Sequence, residues 1–235
     1  MNGKISFELK TLSNLFIGGA PAPFEIGGID QFTVTDPFGF PCIPASSMKG
    51  TLAAMIREDN SDKAKEITEL YRNYLRTMEN VHQKQIDKLA KDEALERIKK
   101  RFREALAPAN MAEYLFGISG FNNTPKLIFG DLILKKEYRD PDNWFSIDMK
   151  NCIDASGQKP QSNPRSYKTA KSGLVFDGAI RLHKISDLGE GAEALCITLI
   201  KENLLKFNEG IYRLGNSKSR GYGKVEVDFS ENQGE

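Results

Sequence analysis

FEIGGIDQFTVTDPFGFPCIPASSMK, residues 24–49, passes from loop to strand to turn to helix within one short run. The flexible Gly27-Gly28 pair leads directly to a carboxylate, Asp30, and then to a brief strand pattern carrying Phe32 and Val34. Asp36-Pro37-Phe38-Gly39 reads as a turn, since aspartate before proline initiates one and glycine accepts the backbone that closes it. Pro44-Ala45-Ser46-Ser47-Met48-Lys49-Gly50 then enters a helix that Ser46 or Ser47 can cap and that extends to about Glu58. This succession belongs to an α+β chain. It also sets a glycine-tethered acid beside a helix start rich in hydroxyls and lysine, where a phosphate can be held next to a reactive group.

Working outward, residues 4–17 (KISFELKTLSNLFI) alternate as a first strand ending at Gly18-Gly19, and the prolines at 21 and 23 mark a loop. Beyond the first helix lies a charged block, 60–106. Ile67, Leu70, Tyr74, Met78 and Val81 recur there at helical spacing, as do Leu95, Ile98, Phe102 and Leu106. One or two long amphipathic helices are expected, started by Ser61 or Asp62 and stopped by Pro108. The basic run Lys99-Lys100-Arg101 with Arg103 reads as a solvated face balanced by Glu93, Glu96 and Glu104.

Residues 111–116 predict a short helix ending at Gly117, and 127–134 a strand with a bulge at Gly130. Residues 148–173 form a long polar excursion, and 174–185 alternate as a strand. Residues 192–207 carry apolar side chains at helical spacing, although Cys196-Ile197-Thr198 has β character. The chain closes with a glycine-rich basic loop, 215–224, and a strand over 224–229. Strands at both ends with two main helices between them point to an antiparallel sheet backed by helices.

Bulk properties narrow the function classes. Thirty-three Lys and Arg against 32 Asp and Glu give a net charge of +1, so any RNA must be met by patches rather than by a basic whole. Two such patches stand out: residues 159–171, with cations and no acid, and Lys218, Arg220 and Lys224. No run approaches membrane-span length, and the start looks like a strand rather than a signal peptide. Cys42, Cys152 and Cys196 lack any CxxC spacing, which fits a reducing cytoplasm better than disulfides or zinc. His82 and His183 are far apart and show no ligand pairing.

Four segments together resemble a known family: IGGID at 26–30, DPFGFPCIPASSMKG at 36–50, YLFG at 114–117 and LGNSKSRGYGKV at 214–225. In order and spacing they are similar to the RAMP superfamily of CRISPR systems, and more narrowly to the RNA-guided backbone subunit of type III effector complexes. The resemblance implies a single domain over 1–235 with a modified RNA-recognition-motif core, a ferredoxin-like antiparallel sheet with helices on one face. It further implies that 60–108 is a helical insertion and that 148–173 is a thumb-like loop or hairpin inserted into the guide–target duplex. The expected partners are guide CRISPR RNA, complementary target RNA, further copies of the chain and other effector subunits, with no membrane.

The same resemblance assigns candidate residues. Asp30 maps onto an aspartate needed for metal-dependent cleavage of target RNA, with Mg²⁺ or another divalent cation as cofactor. A carboxylate there can anchor the ion or itself act as base toward the 2′-OH, while Gly27 and Gly28 let the backbone approach the nucleotide. Without the resemblance, Asp30 reads first as a turn residue that bonds the nearby backbone; Asp36 and Glu25 are neighbouring acids. Ser46, Ser47 and Lys49 match a guide-contacting helix start. In the glycine loop, Lys218, Ser219, Arg220, Gly221, Tyr222 and Lys224 are candidates for RNA contact, with Arg220 forking onto a phosphate and Tyr222 stacking on a base or buttressing the loop. Arg165, Tyr167 and Lys168 are candidates in the excursion, where Asp154 matches a recurrent acid. Two other functions fit less fully: a non-cleaving scaffold of the same complex and an endoribonuclease that trims guide precursors.

Overall fold

The computed structural model describes residues 3–18, 31–86, 92–140, 144–154 and 161–229. Two compact units interleave along the chain. One comprises Met1–Ile5, Leu52–Ile128 and Ile180–Asn203, the other Ser6–Thr51, Phe129–Ala179 and Leu204–Glu235.

The second unit is rich in strands. β1 (Lys4–Thr11) alternates exposed and buried residues, and its inward Leu9 and Thr11 face Val227 and Val225 of antiparallel β9 (Val225–Asp228). The first strand thus stops at Thr11, short of the predicted 17; residues 15 and 18 instead make isolated bridges to Ala170 and Thr33. β3 (Cys42–Ile43), β5 (Leu132–Leu134), β8 (Val175–His183), β1 and β9 follow one another across the main sheet, and β4 (Lys126–Phe129) also pairs with β8. The strand expected over 127–134 is therefore two strands, broken at Gly130-Asp131. That break has a use. The Asp131 carboxylate accepts the Ala45 N–H at 2.7 Å, and α1 (Ala45–Glu58) begins there. The helix is thus capped from 86 residues away, not by Ser46 or Ser47, which lie inside its first turn.

A second sheet has the order β2-β7-β6. β6 (Phe145–Asp154) and β7 (Gln161–Ala170) pair antiparallel over ten positions, so the polar excursion is an extended hairpin starting three residues earlier than the loop reading had it. β7 hides from sequence patterning because QSNPRSYKTA has no apolar alternation, whereas β6 does alternate through Phe145, Ile147 and Met149. β2 (Gln31–Phe32) runs parallel to β7, with Gln31 opposite Tyr167.

The first unit is mostly helical. α2 (Asp62–Ile86) starts where the Ser61 hydroxyl accepts the Ala64 N–H, at 3.3 Å. Its buried face runs Ala64, Ile67, Thr68, Tyr71 and Leu75, so of the stripe read through Ile67, Leu70, Tyr74, Met78 and Val81 only Ile67 is buried and the core face then runs one residue on. Tyr71 decides this facing: its ring is fully buried and its hydroxyl donates to the Pro125 carbonyl at 2.9 Å. α3 (Asp92–Leu106) buries Phe102 and Ala105, with Phe102 edge-on to Phe121 at 5.0 Å. α4 (Ala192–Leu205) resolves the ambiguous 192–207 stretch as helix, buried along Ala192, Cys196, Leu199, Ile200 and Leu204. Among the described residues no helix is long and apolar enough to cross a membrane.

Candidate nucleic-acid interface

Residues 13–18 of the second unit carry no regular strand, yet they join the hairpin to the glycine loop. On one side Leu15 exchanges backbone hydrogen bonds with Ala170 at the end of β7 (2.8 and 2.9 Å). On the other, the Phe16 carbonyl accepts the Asn216 N–H at 2.7 Å and the Asn14 carbonyl accepts the Gly223 N–H at 2.9 Å. Ser13 adds its hydroxyl as acceptor for the Lys224 N–H at 2.9 Å.

Two glycines make so close an approach possible. A Cβ on Gly223 would stand 1.9 Å from the Leu214 carbonyl oxygen, and one on Gly215 would stand 2.3 Å from that of Phe16. Both sit at left-handed φ, +73° and +74°. The loop folds back on itself here, and the Leu214 N–H donates to the Gly223 carbonyl at 2.9 Å. What the loop turns outward is Lys218, Ser219, Arg220 and Gly221, all exposed, with Arg213 donating to the Lys218 carbonyl from behind at 3.2 Å. Lys224 is exposed as well, its stem running beside Gly210.

Asp148, which the sequence reading passed over, is the polar centre of this region. Its carboxylate accepts from the Tyr222 hydroxyl (2.7 Å), the Ser146 hydroxyl (2.9 Å), the Thr169 hydroxyl (3.0 Å) and the Asn14 amide (3.2 Å). Burial alone would raise its pKa, but the hydrogen bonds from Tyr222, Ser146, Asn14 and Thr169 outweigh it and hold the carboxyl below its ordinary value. The Tyr222 hydroxyl is pushed up to about 12, by burial first and then by its bond to Asp148. Tyr222 therefore buttresses the loop.

Two positions further along the same face of β6, Lys150 lies 3.7 Å from the Tyr222 ring centroid and 4.6 Å from that of Tyr167. Its ammonium donates to the Ser217 hydroxyl at 3.3 Å. Arg165 is the cross-strand partner of Lys150 and is exposed. Tyr167 packs edge-on against Phe16 at 5.3 Å, while Lys168, on the opposite face of β7, covers the Phe145 ring at 4.4 Å.

Arg165, Lys218, Ser219, Arg220, Gly221 and Tyr222 thus fall in one neighbourhood. Ser46 and Lys49 are exposed on the first turn of α1 and Ser47 is half-buried. Among the described residues no hydrogen bond or ion pair ties these three to the hairpin or the loop. Gly27, Gly28, Asp30, Glu25 and the side chains of Asp154 and His82 lie outside the described residues. Their boundaries are described: Thr33 accepts the Ile17 N–H at 3.2 Å and bridges to Gly18, and Gln31, next after Asp30, pairs with Tyr167. Asp36 is a turn residue, accepting the Phe38 and Phe40 N–H groups at 2.9 and 3.0 Å. His183 meets the Asn123 amide oxygen at 3.4 Å, and the Cys42 and Cys196 thiols are buried and free.

This arrangement, a sheet-borne hairpin with a glycine-locked basic loop docked on it, agrees with a family assignment over most of the sequence. The RAMP superfamily matches residues 8–226, and the chain belongs to that family. Two curated relatives carry the name CRISPR system Cms endoribonuclease Csm3. The one from Streptococcus thermophilus is 27% identical over 231 residues, covering 94% of this chain and 85% of the relative. The one from Methanocaldococcus jannaschii is also 27% identical, over 236 residues, covering 96% and 79%. Among solved structures, a chain of the Type III-B Cmr-beta complex bound to cognate target RNA superposes with a TM-score of 0.51 at 19% identity, over 96% of this chain. This chain spans 58% of that chain's length, and the likeness supports the α+β fold.

Proposed function

We propose that this chain is a repeated subunit of a type III CRISPR ribonucleoprotein in the cytoplasm. In this reading it is built on a modified RNA-recognition-motif core, holds guide RNA along its backbone, and cleaves complementary target RNA near Asp30. The observation that carries the reading is the continuity of the second sheet. Gln31, the residue after Asp30, pairs with Tyr167, and Tyr167 shares Lys150 with Tyr222 of the basic loop. The residue that follows the candidate acid and the candidate phosphate-binding loop thereby meet at Tyr167 of β7. The names borne by the two Csm3 relatives support an endoribonuclease, and that of the Cmr-beta complex supports an RNA-bound assembly.

Cleavage by the RNA's own 2′-OH requires deprotonation of that hydroxyl, in-line alignment and relief of charge on the phosphorane. Exposed Lys218, Ser219 and Arg220 would grip backbone phosphates and fix the strand's register without reading bases, leaving sequence choice to guide pairing. Ser46, Ser47 and Lys49 would add guide contacts from α1, and Arg165 and Lys168 from the hairpin. Asp30 would take the 2′ proton or hold a divalent cation. A divalent cation held by Asp30 would complete its coordination with RNA oxygens and water. Such an ion offsets charge developing on the phosphorane.

The test is cleavage of a labelled complementary RNA by the complex assembled with its guide and Mg²⁺, comparing wild type with Asp30→Ala and measuring target binding in parallel. Wild type should cut at regular spacing. The variant should bind as well and cut at least about 100-fold more slowly. Equal cutting by both would leave the chain a scaffold and place the nuclease elsewhere.

A further inference from the structure

Lys150 donates to the Ser217 hydroxyl, and the Ser217 carbonyl accepts the Arg220 N–H at 2.9 Å, so both cations meet at one short turn. Among the described residues no carboxylate lies within ion-pair distance of either, although cations elsewhere, such as Lys135 with Glu8 at 2.7 Å, are paired. Asp148 is close in sequence but not available, because its two oxygens already take four donors. The two tyrosine rings orient the Lys150 ammonium, yet a ring face supplies no counter-charge of its own. Burial and then Arg220 push this ammonium below its ordinary pKa against the pull of Asp148, the mark of positive charge gathered on a half-buried site. Ser217, whose hydroxyl accepts from Lys150, holds left-handed φ at +57°, a conformation that side chains other than glycine seldom adopt. Two cations at one turn with no carboxylate partner, and a hydroxyl beside them, supply the charge and donors that one anion takes.

We propose that Lys150 and Arg220, with the Ser217 hydroxyl, bind one backbone phosphate of an RNA strand, and that Asp148 is the positioning residue that holds this site together through Tyr222. The proposal rests on the reading of the chain as an RNA-binding subunit and adds to it a contact from the hairpin face. Lys150 supplies charge from a rigid strand, where its entropy is already restricted by two rings. Arg220 supplies a fork from the loop. Asp148 touches no RNA. It fixes the Tyr222 ring, which in turn sets where the ammonium stands.

The full chain would be titrated with a labelled single-stranded RNA at several salt concentrations, with circular dichroism confirming that each variant folds. Lys150→Met should bind roughly tenfold more weakly at low salt, as expected for losing a charge-assisted hydrogen bond. The slope of log affinity on log salt should also fall by about 0.7, the signature of one phosphate contact on a single strand. Over a fourfold rise in salt, wild type should then lose about 2.6-fold more affinity than the variant. Lys150→Arg should keep the wild-type slope. Asp148→Ala alone should weaken binding, but in a Lys150→Met background it should cost little more, because it acts through a site already lost. Tyr222→Phe, which keeps the ring and drops the bond to Asp148, serves as the milder probe and should weaken binding about two- to tenfold.

If Lys150→Met matches wild type in affinity and slope, the phosphate site is wrong and the RNA-binding reading stands. If wild type shows no salt-dependent RNA binding at all, both are wrong. Additive losses in the double variant would reduce Asp148 to a purely structural group.

Discussion

Two basic segments of this chain look alike in composition and differ in what surrounds their charges. On α3, Lys99 lies 3.6 Å from Glu96 and Lys100 lies 3.9 Å from Glu104, pairs one helical turn apart on an exposed surface. In the glycine loop and the hairpin beneath it, Lys150, Lys218 and Arg220 have no carboxylate within ion-pair distance among the described residues. The helix sets Lys99 and Lys100 beside acids, where both are already paired and solvated. The loop holds its cations on a backbone fixed by glycines and a buried-edge hydrogen-bond network. Density of positive charge is therefore a poor guide to an anion site. What distinguishes one is charge left unpaired on a scaffold that cannot relax to pair it.

The sharpest way to break this comparison is to remove the scaffold while keeping every charge. Gly223→Ala places a methyl group 1.9 Å from the Leu214 carbonyl oxygen at a φ of +73°, and its nearest neighbours are backbone, which cannot swing aside. The expected cost is at least about 3 kcal/mol, read from the urea midpoint, with RNA affinity falling to that of a variant lacking the loop cations. Retention of wild-type affinity would show that the cations bind RNA without the fold holding them.

A smaller effect follows from removing the hub. Asp148→Ala leaves the Tyr222, Thr169, Ser146 and Asn14 donors without their shared acceptor, and should cost about 1–3 kcal/mol in stability. The pH dependence has a definite sign. Because the folded-state pKa of Asp148 is depressed, its contribution is fully present above the unfolded value near 3.9 and is lost as pH falls through the folded one. The stability gap between wild type and Asp148→Asn, followed by urea unfolding, should thus narrow below about pH 4. A gap that stays constant to pH 2 would mean the carboxylate's charge contributes nothing.

How much of this could be read from residues alone depends on the range of the interactions. The Asp36 turn, the Ser61 cap and the helices of the 60–106 block were legible because partners lie within a few positions. The glycine loop was legible as a loop, and its outward Lys218, Ser219 and Arg220 as candidates, because glycine spacing is a local signal. Asp148 was not. Its donors come from positions 14, 146, 169 and 222, and nothing in the run Ile147-Asp148-Met149 announces a hub. Lys150 was missed for the same reason, its rings being supplied by β7 and by the C-terminal loop. The α1 cap failed similarly, since the helix begins at Ala45, before either serine, and its first N–H is taken by Asp131 from another strand. Sequence reading succeeded where neighbours along the chain set the geometry and missed where strand pairing brought distant residues together.

The smallest expected effect tests the other half of the comparison. Replacing Lys99 and Lys100 by glutamine removes two positive charges from α3, twice what Lys150→Met removes, and leaves Glu96 and Glu104 unpaired on the solvated face. Exposed i,i+3 and i,i+4 pairs contribute only about 0.3–0.5 kcal/mol each, and glutamine keeps the helical propensity of lysine. Stability should therefore shift by less than about 1 kcal/mol. The salt slope of RNA binding should not move, because cations already paired with carboxylates release few counterions when a phosphate approaches. A fall in that slope as large as the one expected for Lys150→Met would put α3 inside the RNA footprint, and pairing with a neighbouring glutamate would no longer separate an idle basic surface from a working one.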